Sequence, residues 1–149
     1  MKNHIIYLIL SVFILAGCKK YAEGPALSLR SKEKRLCQEW NLDKFTYNDE
    51  AITYQDNQKW VFRENGTLTI TIIEDDSSNE IEYDWRWAND KEDIEILYSN
   101  TNDEKLVMFD LKNEKEEDWV LLKILKLKFD QIILENRIEG DIVRFEFVK

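Results

Sequence analysis

The sequence contains few of the residues that catalytic and phosphate-binding sites most often use. Its 149 residues include one His, two Cys, four Gly and one Pro. Only Gly24, Gly66 and Gly140 follow residue 17, so no glycine-rich loop is present that could cradle a phosphate. The turns must therefore rely on Asn and Asp. Basic residues number 21 against 30 acidic ones, and the net charge of −9 makes nucleic acid and anionic headgroups poor partners.

The N-terminal segment has the parts of an export signal. Lys2 supplies a positive start, and residues 5–16 form an almost unbroken apolar run that ends in small residues before a Cys. The run is too short to span a bilayer, which takes about 20 residues. Leu15-Ala16-Gly17-Cys18 resembles the lipobox of bacterial lipoproteins, which a signal peptidase cuts before the Cys that is then acylated. The alternative is an uncleaved helical anchor or a buried N-terminal helix.

This resemblance implies a location in the cell envelope. It implies a signal peptide at residues 1–17 and a lipid anchor at Cys18, so that the membrane is the first expected partner. Residues 18–28 would form the anchor and a tether, and residues 29–149 the folded domain. An Asp after the acylated Cys often retains Gram-negative lipoproteins at the inner membrane. Lys19 stands there instead and favours the outer membrane, on its periplasmic or surface face.

Removal of the signal peptide would also remove the only histidine. Loss of His4 excludes Ser-His and Cys-His nucleophile pairs and most zinc and iron sites. With Cys18 acylated, Cys37 has no disulfide partner in the chain. Cys37 is interpreted as a small buried apolar residue, with a reactive thiol as the alternative. We therefore expect no catalytic residue, no metal and no cofactor, and predict that the protein is not an enzyme.

Carboxylates are the remaining candidates for chemistry. Residues 74–76 and 90–93 are acidic, but they lack an Asp-x-Asp-x-Asp-Gly calcium loop and are interpreted as solvated turns. Glu82 and Asp84 would suit a glycosidase only if both lay in a cleft. The alternation of the surrounding residues puts them on the face opposite the neighbouring aromatics, which favours surface positions.

Hydrophobic periodicity predicts one short helix followed by a series of strands. Residues 28–39 have helical spacing, and from Trp40 onward the period becomes two, with a bulge where Leu42 and Phe45 fall out of phase. Asn65-Gly66 predicts a hairpin turn. The expected strands are 40–47, 59–63, 67–73, 80–87, 94–98, 105–111, 119–128, 131–136 and 142–149. Such a series predicts a sandwich or an up-and-down barrel.

Three parts of the chain resemble the small lipocalin-like domains of bacterial lipoproteins. Leu36 to Phe45 resembles their opening helix and Trp-x-Leu strand, and Trp60 to Thr67 resembles their Phe-x-x-Asn-Gly-Thr hairpin. Tyr83-x-Trp85-x-Trp87, together with residues 124–134, resembles their central and late strands. The likeness covers residues 30–149 in order, with one departure: Gln38 stands where lipocalins often have the Gly of Gly-x-Trp.

This second resemblance implies a mainly β fold. It implies an eight-stranded antiparallel up-and-down barrel, closed or half-open, with a short N-terminal helix, and it implies no single activity. An eight-stranded barrel is either filled by its side chains or holds one small ligand. The candidate ligand-binding residues are Trp60, Phe62, Tyr83, Trp85 and Trp87. Large aromatics in a small domain are more often core than cavity lining. We expect a small apolar ligand, and the alternative is an accessory protein with a filled core that binds an envelope protein.

Overall fold

The described residues form one antiparallel sheet that closes on itself behind a short helix. They are residues 30–53, 57–74, 77–99, 117–138 and 140–149 of a computed structural model. The elements are α1 (Lys32–Leu36), β1 (Glu39–Tyr47), β2 (Glu50–Ala51), β3 (Asn57–Phe62), β4 (Thr67–Glu74), β5 (Ser77–Ala88), β6 (Asp93–Ser99), β7 (Glu117–Leu127), β8 (Gln131–Ile138) and β9 (Asp141–Val148).

The sheet closes because β1 pairs along both of its edges. Successive strands from β3 to β9 pair with one another, and the two-residue strand β2 pairs with the end of β1. β1 pairs with β3 at Trp40↔Trp60 and with β9 at Phe45↔Phe145. With β2 left aside, eight strands complete an up-and-down barrel. The expected mainly β, eight-stranded antiparallel barrel is confirmed.

The helix is shorter than the periodicity predicts. The expected span was 28–39, of which residues 28 and 29 lie outside the described residues, and α1 covers five residues, with Ser31 as N-cap. The Ser31 hydroxyl accepts a hydrogen bond from the Lys34 backbone N–H at 3.2 Å. At the other end, the indole N–H of Trp40 donates to the Leu36 carbonyl at 3.0 Å. That carbonyl is satisfied without a further helical turn, so residues 37–39 are not helical and β1 begins at Glu39.

The predicted irregularity of β1 is confirmed, and a second one occurs in β7. The register of β1 against β9 shifts between Leu42 and Lys44, and that of β7 against β8 shifts between Ile124 and Lys126. β5 begins at Ser77 and not at residue 80, because the β4–β5 ladder runs to the pair formed by Glu74 and Ser77. The expected strand 105–111 lies outside the described residues.

The hairpin at Asn65-Gly66 is confirmed, with a three-residue loop. The Gly66 N–H donates to the Arg63 carbonyl at 3.1 Å, and the Arg63 N–H donates to the Thr67 carbonyl at 2.8 Å. Within this loop only Gly66 has a positive φ, of 89°. This is a type I turn closed by a glycine bulge.

Asn and Asp carry other turns, as the scarcity of glycine predicts. Asn48 and Asp49 both have positive φ, of 49° and 65°. Asn48 exchanges hydrogen bonds with Ile142, and its side chain donates to Asp141 at 2.9 Å. The Tyr47 hydroxyl also donates to Asp141. These bonds from Asn48 and Tyr47 lower the pKa of Asp141 and fasten the β1–β2 turn to the β8–β9 hairpin.

Aromatic side chains fill the centre of the barrel. Trp60 lies 4.9 Å from Phe147 and 5.6 Å from Phe145 between ring centroids, and Phe45 lies 5.2 Å from Phe145. The surrounding aliphatic core residues come from most of the strands: Leu68, Ile70, Ile72, Ile94, Ile96, Val120, Leu122, Ile124, Leu127, Ile132, Leu134 and Val143. Burial of this apolar surface is the main force that stabilises the barrel.

A buried carboxylate lies on the outer wall. Glu135 is 4 % exposed, and it accepts hydrogen bonds from Arg137 at 2.9 Å and from Arg144 at 3.1 Å. Burial by itself raises the pKa of Glu135, but the hydrogen bonds from the two guanidinium groups outweigh burial and lower it. The network therefore fixes β8 against β9 with an ionised carboxylate.

Candidate ligand-binding site

The structure divides the five candidate ligand-binding residues into two groups. Trp60 and Phe62 are at most 2 % exposed and belong to the filled core. Tyr83 and Trp87 are half-buried, and Trp85 is 6 % exposed. The rings of Phe62 and Trp85 meet edge to face at 5.5 Å, as do those of Trp85 and Trp87. The aromatic row thus runs from the centre of the barrel to its surface.

A groove of about 570 Å³ lies where this row reaches the surface. It is formed by the start of the domain, by the β3–β4 turn and by the end of β5. Its lining residues are Ser31, Glu33, Lys34, Cys37, Glu64, Asn65, Gly66, Trp85, Arg86 and Trp87. Two of the five predicted ligand-binding residues, Trp85 and Trp87, therefore line a groove.

Backbone contacts fix the β5 wall of the groove. The Trp85 N–H donates to the Gly66 carbonyl at 2.7 Å, and the Trp85 indole N–H donates to the Arg63 carbonyl at 3.0 Å. A Cβ at Gly66 would come within 3.2 Å of the Trp85 carbonyl oxygen. The close approach of turn and strand thus depends on glycine at this position.

The opposite wall is α1, which is held across one end of the barrel. Arg35 donates to the Leu127 carbonyl at 2.6 Å, and Gln38 donates to the Phe129 carbonyl at 2.9 Å. Arg35 is buried, so its contact with the carbonyl is shielded from water. These bonds tie α1 to the β7–β8 turn and hold the groove open between helix and β5.

The β5–β6 turn contacts two residues that line the groove, Glu33 and Trp87. Asn89, Asp90 and Lys91 all have positive φ, between 49° and 64°. This backbone brings Lys91 into an ion pair with Glu33 of α1 and places its ammonium 6.0 Å from the ring centroid of Trp87. The hydrogen bond from Lys91 lowers the pKa of Glu33.

Charged residues of both signs line the groove. Glu33 and Glu64 supply two negative charges, and Lys34 and Arg86 supply two positive ones. Arg86 turns to the outer wall, where it pairs with Glu95 at 2.6 Å. The groove therefore combines an aromatic wall with a rim of mixed charge.

Cys37 lies in the groove as an unreactive thiol. Burial, followed by the charges of Glu64 and Glu33, raises its pKa to about 11. The thiolate is the nucleophilic form, so the thiol of Cys37 is almost entirely inactive at neutral pH. Cys37 packs against the core but is half-buried, so it is more exposed than the interpretation of a small buried apolar residue expects.

The carboxylates weighed for catalysis lie apart from the groove. Glu82 and Asp84 are exposed on the outer wall of β5, as the alternation predicts. Across the described ranges, no three His, Cys, Asp or Glu side chains are grouped to hold a metal ion. In the same residues no helix has the length and apolar character needed to cross a membrane. Residues 1–17 and Cys18 lie outside the described residues.

Sequence reasoning missed most of the groove. Ser31, Glu33 and Glu64 carry no individual signal, because each is a polar residue of an ordinary cap, helix or turn. The contact of Lys91 with Glu33 depends on a left-handed turn that its sequence does not specify. Of the lining residues, only Trp85 and Trp87 were predicted to bind a ligand.

No family model and no curated protein matches the sequence. Among solved structures, the chain is similar to an uncharacterized protein from Bacteroides eggerthii, with a TM-score of 0.52 and 16% identity. That alignment covers 76% of this chain and 98% of the other. A bovine odorant-binding protein, a deswapped triple mutant, aligns with a TM-score of 0.42 and 15% identity over 77% of this chain and 74% of its own. The likeness to the Bacteroides protein concerns the fold alone.

Proposed function

We propose that this protein is a lipid-anchored, lipocalin-like lipoprotein of the cell envelope that binds a small, largely apolar ligand and catalyses no reaction. The observation that supports ligand binding is the groove of about 570 Å³ beside Trp85 and Trp87. Ligand sites commonly occupy roughly 300–1,000 Å³ and combine apolar walls with a few polar groups. The eight-stranded up-and-down barrel is also the architecture of lipocalins.

The lining of the groove indicates the kind of ligand. Trp85 and Trp87 offer apolar ring surface to the body of the ligand, and Lys34 and Glu64 at the rim offer partners to a polar end. Because charged residues of both signs line the groove, a zwitterionic or uncharged polar end fits it better than an end of one strong charge.

The test is a direct search for bound ligand. Native extraction followed by mass spectrometry should recover a co-purified lipid-like molecule, and the neutral probe N-phenyl-1-naphthylamine should quench Trp fluorescence. Trp87→Leu should weaken probe binding about tenfold, since it removes an aromatic contact. Trp119→Leu, on the outer wall, is the matched control and should leave binding unchanged. If no ligand co-purifies and the probe does not quench Trp fluorescence, the proposed ligand binding is ruled out.

The alternative function is that of a non-catalytic accessory protein. It is favoured by the filled barrel centre, where Trp60, Phe145 and Phe147 are in mutual contact. Such a protein would recover a specific envelope partner in a pull-down and would not bind the neutral probe.

The proposed lipid anchor has its own test. Cys18→Ala should move the protein from the membrane fraction to the soluble fraction, and Cys37→Ala should leave it in the membrane. Density separation of inner and outer membranes should place the wild type in the outer one. A Cys18→Ala protein that still fractionates with membranes contradicts the anchor.

A further inference from the structure

The β5–β6 turn has a backbone that residues other than glycine rarely adopt at three successive positions. Asn89, Asp90 and Lys91 have φ of 49°, 55° and 64°. Non-glycine residues enter this left-handed region mostly one at a time, and Asn and Asp do so most easily because their short polar side chains bond to nearby backbone. Of the five described non-glycine residues with positive φ, four are Asn or Asp and the fifth is Lys91. The turn is therefore strained, and most of all at Lys91.

Contacts with α1 hold the central residues of this turn. At its start, the Asn89 side chain donates to the Asp93 carboxylate of β6 at 2.6 Å. In the middle, the ammonium of Lys32 on α1 donates to the Asp90 carbonyl at 3.5 Å and also to the Lys91 carbonyl. The left-handed conformation of the two central residues thus depends on bonds to the helix as well as on bonds within the hairpin.

Lys91 links the two walls of the groove. Its ammonium pairs with Glu33 of α1 and lies 6.0 Å from the ring centroid of Trp87 on β5, and both of these residues line the groove. An exposed ion pair and an exposed cation–π contact each stabilise a structure only slightly, and together they are of the same order as the cost of a left-handed lysine. Because the opposing terms nearly cancel, the contact breaks in a measurable fraction of molecules.

The turn is the part that moves when this contact breaks. α1 is fixed to the β7–β8 turn by Arg35 and Gln38, and Trp87 is fixed in the ladder with β6. The two walls therefore stay in place. Release of Lys91 allows the turn to leave the left-handed conformation and withdraws the side chain that spans Glu33 and Trp87.

We propose that the β5–β6 turn is a gate of the groove, which Lys91 holds shut between Glu33 and Trp87 and whose opening sets the rate of ligand exchange. The gate rests on the proposed ligand binding. Ligand would enter and leave only while Lys91 is detached. Entry and exit therefore depend on the same open fraction, and the affinity, which is set by the aromatic wall, does not depend on the gate.

The variant Lys91→Met tests the gate, because it removes the ammonium and keeps the length of the side chain. Stopped-flow measurement of Trp quenching by N-phenyl-1-naphthylamine, on the full chain in mild detergent, gives both rate constants. The association and dissociation rate constants should both rise about tenfold, as expected for loss of the ion pair and the cation–π contact, and Kd should stay within about twofold. Partition of the probe into micelles affects every variant alike, so the ratios between variants are compared.

Two control variants separate the gate from a general effect of charge. Lys91→Arg keeps both the ion pair and the contact with the Trp87 ring, and it should exchange the probe at the wild-type rate. Lys59→Met removes a comparably exposed ion pair with Glu39, which joins β3 to β1 at 3.5 Å, and it should leave both rate constants unchanged. Added salt should speed exchange more in the wild type than in Lys91→Met.

Hydrogen exchange reports the gate without any ligand. The Glu92 N–H donates to the Asn89 carbonyl across the turn at 3.0 Å. Exchange of this amide should be about tenfold faster in Lys91→Met than in the wild type, because the same opening exposes it, and unchanged in Lys59→Met.

The outcomes distinguish failure of the gate from failure of ligand binding. If the wild type binds no probe, the proposed ligand binding fails and the gate fails with it. If the wild type binds the probe and Lys91→Met has wild-type rate constants, only the gate is wrong. Faster dissociation with weaker affinity and unchanged association would make Lys91 a ligand contact, and unchanged exchange of the Glu92 amide would show that Lys91 does not hold the turn; either result overturns the gate.

Discussion

The substitution Trp60→Ala tests whether the aromatic centre of the barrel is core or ligand surface. Trp60 is 0 % exposed and touches Phe145 and Phe147 with ring centroids 5.6 and 4.9 Å away. If these rings are core, truncation leaves a cavity that the barrel cannot refill. Substitutions of this kind cost about 3–5 kcal/mol.

Urea denaturation measures this loss. With m-values of about 1–3 kcal/mol per molar urea, a loss of about 4 kcal/mol lowers the midpoint by roughly 1–4 M. Trp119→Ala is the control, because Trp119 lies half-buried on the outer wall below the Arg86 guanidinium, at 3.9 Å from the ring centroid. It should cost about 1 kcal/mol or less.

The refuting result combines stability with binding. A loss below about 1 kcal/mol in Trp60→Ala, together with loss of N-phenyl-1-naphthylamine binding, would show that Trp60 faces a ligand and not the core. The core interpretation expects the reverse, a large loss of stability with the groove intact. It also expects the new cavity to admit a small apolar molecule such as benzene.

Three further predictions concern other parts of the fold. Glu135→Gln should cost about 1–3 kcal/mol at neutral pH. Because folding lowers the pKa of Glu135, its carboxylate stabilises the folded protein above the unfolded-state pKa, and this stabilisation is lost as the pH falls through the folded-state pKa. The urea midpoint of the wild type should therefore fall more steeply with acid than that of Glu135→Gln. Glu146→Gln is the control. Folding raises the pKa of Cys37 from 9.0 to about 11, which lowers the fraction of reactive thiolate about a hundredfold at mildly alkaline pH. A thiol reagent followed by absorbance should therefore react with Cys37 about a hundredfold more slowly in the folded protein than in the unfolded protein. Gly66→Ala should lower the melting temperature more than Gly140→Ala, since both have positive φ but only the first adds a Cβ 3.2 Å from a β5 carbonyl oxygen.

The barrel was predictable because its strands carry local signals. Alternation placed the apolar face of most strands, and broken alternation near Leu42 marked the bulge of β1. The register shift of β7 against β8 was not located from the sequence. The end of the helix was not predictable, because it depends on the Trp40 indole reaching the Leu36 carbonyl. The start of β5 was missed since residues 77–79 are polar, and only the ladder with β4 makes them a strand.

The groove was less predictable than the fold, because periodicity reports the face of a residue and not its depth. Trp60 and Trp87 both point inward, yet Trp60 lies at the centre and Trp87 at the end of the barrel. Depth is set by the order of strands around the barrel and by α1, which lies across one end. Those are long-range contacts, and no spacing within a strand encodes them.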